Sequence, residues 1–160
     1  MHRIFNVKAG CRRLLKNTLF FLIILTCGFT IISAAGNPVS GYPSRGCEEE
    51  ITSVLKGAVE DSGWLAATSR QEVRELLAAY YGEPLLSELS DAVWDFISVP
   101  TDWHYETRLG RITVLRQTEN MAAVQAEILE TDVLSGVTFI STVEYHLVKG
   151  NQAWKIVNIK

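Results

Sequence analysis

The sequence predicts an α+β fold, helices first and an antiparallel sheet after them. Two observations carry this. Apolar residues recur at helical spacing between Ile51 and Ile97, then at every second position from Arg111 to Ile159. The connections in the second half, at 119–120, 134–136 and 149–152, are short, and short connections imply antiparallel neighbours.

The helical half divides at its breakers. Ile51, Val54, Leu55 and Val59 form one stripe, with Glu48–Glu50 in the first turn. Asp61–Gly63 and Ala67–Ser69 interrupt the pattern around Trp64 and Leu65. Ser69 and Glu72 have the spacing of a capping box. Val73, Leu76, Leu77, Tyr80 and Tyr81 then form a second stripe, which Gly82 is placed to stop. Pro84 suits the first turn of a third helix, and Leu86, Leu89, Val93, Trp94 and Ile97 give it a core face until Pro100.

The sheet half reads as four strands, at 111–118, 122–133, 136–148 and 153–159. On the third, Phe139, Ser141, Val143, Tyr145 and Leu147 share one face, expected to be the inner one. Ile140 and Val148 lie outward among Thr138, Thr142 and Glu144, a mildly apolar face. Trp154, Ile156 and Ile159 belong to the last strand, which pairs back through a short turn and completes the sheet.

The first 35 residues read as an address. Arg3, Lys8, Arg12, Arg13 and Lys16 precede an uncharged run from Asn17 to Gly36, and Ser33-Ala34-Ala35 supplies the small residues of a cleavage site. Three outcomes stay open: cleavage after Ala35, retention of residues 18–35 as a membrane anchor, or lipidation at Cys27. Each places the rest of the chain outside the cytoplasm, secreted or anchored to the cytoplasmic membrane. Residues 36–46, with two prolines and three glycines, form a linker, and 47–160 a single domain.

All 18 acids lie beyond residue 35, against 10 bases, a balance of about -8 that gives no electrostatic reason to bind nucleic acid. Cys47 is the one cysteine of the exported part, so a disulfide within it is excluded. It reads as an incidental thiol. There is no phosphate loop, nucleophile elbow or dinucleotide fingerprint, and no zinc spacing, so no metal and no cofactor is expected.

Three helices followed by a sheet whose last turn and strand contain Gly150, Trp154, Lys155, Ile156 and Val157 resemble the nuclear-transport-factor-2-like superfamily, as do the strand 142–150 before them and the helix break in 76–89. The resemblance implies a cone. Helices pack on the concave face of a curved antiparallel sheet and leave an apolar pocket between them. It implies no catalytic residue at any position.

Within that frame the pocket is expected to be lined by Tyr80, Tyr81, Trp94, Phe139, Ser141 and Tyr145. The densest polar cluster is 101–108. If extended, Asp102, His104, Glu106 and Arg108 share one face and Trp103 and Tyr105 the other. His104 with Asp102, together with Tyr145, is the catalytic candidate; a solvated strand edge is the plainer reading. Glu144 with His146, and Asp91 with Asp95, read as surface groups.

The expected role is a non-catalytic accessory domain at the cell envelope. It binds an envelope protein or a small apolar ligand through the pocket or a sheet face, and a homodimer is compatible with that layout. The alternatives are a small-molecule isomerase, dehydratase or hydrolase using His104, Asp102 and Tyr145, and an exported inhibitor of a cell-wall hydrolase.

Overall fold

The computed structural model describes residues 45–100, 103–151 and 153–160. The address segment, most of the linker and Asp102 lie outside these. The elements run α1 (Arg45–Glu60), a 3₁₀ turn (Gly63–Ala66), α2 (Arg70–Leu77), α3 (Leu85–Ile97), β1 (Tyr105–Gln117), β2 (Met121–Asp132), β3 (Thr138–Lys149) and β4 (Trp154–Ile159). The four strands form one open antiparallel sheet in the order β1-β2-β3-β4. Among the described residues no helix is long and apolar enough to cross a membrane.

β1 starts six residues before the alternation at Arg111 suggests. Gly110 and Arg111 fall in a register shift that hides the period of its first half. A Cβ at Gly110 would stand 2.6 Å from Leu129 Cδ1, so the bulge needs a residue without one.

Alternate residues of the strands build the covered face of the sheet, and a register shift in the β3–β4 pairing brings Ile159 onto it as well. Ala122, Val124, Ala126 and Ile128 of β2, Val143, Tyr145 and Leu147 of β3, and Trp154, Ile156 and Ile159 of β4 are all buried. Ile51 and Leu55 of α1 close over them, and Leu85 joins from α3. A second cluster, Val73, Leu77, Leu86 and Val93, holds α2 against α3. Tyr81 and Leu89 touch both clusters. The open face is wetter. Ile140 is exposed there, as are Leu134 and Val137 at the β2–β3 turn.

Helix α2 departs from its expected length. It stops at Leu77, and Leu76 is exposed. The chain then turns through 78–80. Tyr81 forms a parallel bridge with Ile156, bracketed by bonds from Ile156 N to Tyr80 O (2.9 Å) and from Gly82 N to Ile156 O (2.8 Å). Lys155 Nζ donates to the carbonyls of Ala78 and Ala79, both at 2.7 Å, satisfying groups that a longer helix would have used. Gly82 therefore does not end the helix by a left-handed turn. It lets the chain approach β4, where a Cβ would meet Lys155 and Val157 side-chain atoms at 3.2 Å.

The capping box is half made. Ser69 Oγ accepts from Glu72 N at 3.1 Å, but the Glu72 carboxylate accepts from Thr68 N and Oγ1 instead of reaching Ser69.

Candidate functional site

The two core clusters do not merge. Between them lies a cavity of about 590 Å³, the size range of small-ligand sites. Leu77 and Val93 contribute from the helix pair, Ile128, Val143 and Ile159 from the sheet, and Val59 from the end of α1.

One wall is aromatic. Trp64, Tyr81, Trp103, Tyr105 and Tyr145 all line the cavity. Phe96 links Trp64 to Trp103 edge to face, with centroids 6.4 and 5.7 Å apart, and Trp103 continues to Tyr105 at 5.4 Å. The alternation in 103–108 explains why Trp103 and Tyr105 turn inward together.

Two polar groups stand out. Tyr145 is only 6% exposed, yet its hydroxyl has no hydrogen-bond partner among the described residues and is not sealed off. Burial pushes its pKa up to about 12, so it stays a neutral hydroxyl at any physiological pH. Tyr81 is also raised, by burial first and then by the neighbouring Tyr145 and Tyr80; its hydroxyl donates to Ala58 O at 3.3 Å. Glu130 is the second group. It sits on β2 between its cross-strand partners Thr107 and Phe139, lines the cavity, and has no partner among the described residues. Its carboxyl pKa is raised, and burial is the cause.

Of the residues expected in a pocket, Tyr81, Ser141 and Tyr145 line this one. Tyr80, Trp94 and Phe139 do not. Tyr80 turns to the surface of α1 and donates to Asp61 Oδ2 at 2.9 Å. Trp94 packs against the α2–α3 cluster from outside. Phe139 has the inward parity, but it lies beyond the helices' reach and is 57% exposed.

His104 is not among the lining residues either. Its Nε2 is 3.7 Å from Asp132 Oδ1, and its ring stacks on Tyr105 with centroids 4.9 Å apart. Burial alone would raise the Asp132 pKa, but hydrogen bonds from the Leu134 and Ser135 N–H groups, with His104 nearby, lower it. Asp132 thus serves the β2–β3 turn. His146 meets Glu144 at 2.7 Å, and Asp91 and Asp95 both face Arg70. Cys47 Sγ accepts from Gln117 Nε2 at 2.9 Å. Among the described residues no group of three or more His, Cys, Asp or Glu is arranged to hold a metal.

Sequence reading missed Glu130. The signal was present: Ala122, Val124, Ala126 and Ile128 form an apolar parity, and Glu130 is the next member.

No family model and no curated protein matches this chain. Among solved structures it is similar to the crystal structure of the intermembrane space region of chloroplast protein ARC6, with a TM-score of 0.45 and 16% identity over 75% of this chain and 97% of that one. A likeness of that order carries no argument about this chain.

Proposed function

We propose that this chain is an exported or membrane-anchored binding domain of the nuclear-transport-factor-2-like type, and that it holds a small, largely apolar ligand in the cavity between its two core clusters. The observation that carries this is Tyr145. Its hydroxyl has no hydrogen-bond partner among the described residues and stays open to the cavity, where a ligand atom can pair with it. The basic, then apolar, then small-residue order of the first 35 residues supports delivery outside the cytoplasm.

The catalytic alternative needs His104 in the cavity, and His104 lies against Asp132 instead. Binding without chemistry is the reading the geometry favours.

Native mass spectrometry of the gently purified full chain tests it. A bound species of a few hundred daltons is expected, lost or weakened in Tyr145→Phe. Protein that is empty and also leaves the fluorescence of Nile red unchanged overturns the proposal.

A further inference from the structure

We infer that the ligand is an organic cation, an ammonium or amine head carried on an apolar body. This rests on the pocket reading above and names the chemistry the pocket selects.

The lining offers a carboxylate acceptor and ring faces, and two of its aromatic donors are spent within the fold. Trp103 Nε1 donates to Tyr105 O at 3.0 Å, and the Tyr81 hydroxyl donates to Ala58 O. An anion entering the cavity would face four carboxylates against two cations, of which Arg108 is already paired with Glu106. A cation would find Trp64, Tyr81, Trp103, Tyr105 and Tyr145, whose ring faces carry negative potential.

Charge points the same way. Glu60, Asp61, Glu106 and Glu130 line the cavity against Arg108 and Lys160. The other carboxylates are engaged. Glu106 meets Arg108 at 3.4 Å; Glu60 accepts from Leu109 N at 3.1 Å and has Lys56 3.9 Å away. Asp61 accepts from the Tyr80 hydroxyl and from Gly63 N. No contact among the described residues joins Lys160 to Glu130. Glu130 is therefore the carboxylate whose charge is left for a ligand, on the same sheet face as the unpartnered Tyr145 hydroxyl. A half-buried carboxylate without a counter-ion is costly, and a bound cation removes that cost.

Three probes of one chain length test the inference: octyltrimethylammonium, 1-octanol and octanoate, each below its aggregation limit. Binding to the full chain is read by calorimetry and by the fluorescence of Trp64 and Trp103. The ammonium is expected to bind at least tenfold more tightly than the alcohol, with octanoate weakest. Glu130→Gln is expected to erase the preference for the ammonium while leaving octanol binding intact and without lowering the melting temperature. In the wild type the preference should fade as pH is lowered and Glu130 takes up its proton. If octanol or octanoate binds as well as the ammonium, the pocket stands and the cation inference falls. If Glu130→Gln keeps the preference, the inference falls as well. If none of the three binds, both readings are overturned.

Discussion

The ring of Tyr80 lies directly over Gly57, so close that a Cβ at residue 57 would stand 2.2 Å from Tyr80 Cε1. This contact joins α1 to the turn after α2, and the Tyr80 hydroxyl continues it to Asp61.

Gly57→Ala is expected to destabilise the fold by about 1–3 kcal/mol, because the ring must move and lose Asp61. In a Tyr80→Ala background the sign should reverse, since alanine is the better helix residue by about 1 kcal/mol. Urea melts of the wild type, the two single variants and the double variant decide this. Equal effects in both backgrounds would mean that the ring is not what excludes a side chain.

Trp154 is 1% exposed in the core, with Lys149 Nζ 5.6 Å above its ring and no partner for its Nε1 among the described residues. Trp154→Ala should cost about 3–5 kcal/mol through the cavity it leaves. Trp154→Phe should cost only about 1–2 kcal/mol, because it keeps most of the packing and removes a buried orphan donor. A phenylalanine variant as damaged as the alanine one would show that the indole N–H is satisfied after all.

Glu130 makes stability depend on pH. Its folded-state pKa is raised, so the fold prefers the protonated carboxyl. That contribution is fully present below the ordinary carboxylate value and is lost as pH rises through the raised one. Glu130→Gln should therefore raise the melting temperature of the ligand-free protein at pH 7 by roughly 2–4 °C, a small gain because solvent screens a half-exposed group. The gain should vanish near about pH 3, where both states are protonated. A variant that melts lower than wild type at pH 7 would mean that Glu130 has a stabilising partner. A site residue that lowers stability while conferring selectivity is the trade expected of a binding group.

Much of the fold was legible because local rules agree with it. The switch from a period near 3.6 to a period of 2 separates helices from strands, and the polar turns at 119–120, 134–136 and 149–152 place the hairpins. The parity of 139–147 put Ser141 and Tyr145 on the covered face. It failed for Phe139, because parity states a side and not how far the covering helices extend. The strand start at Tyr105 was hidden by the bulge at Gly110–Arg111, where the period slips.

The sequence by itself determined the order of the elements, the antiparallel pairing and the inward faces of the strands. Each follows from residues within a few positions of one another. The tertiary structure alone decided that Tyr80 covers Gly57 while Tyr81 bridges to Ile156, that His104 meets Asp132 and not the cavity, and that Glu130 and Tyr145 line one cavity. These pairs are separated by up to about 75 residues. They arise from how two apolar clusters settle against each other, and from the gap where neither has side chains large enough to fill it.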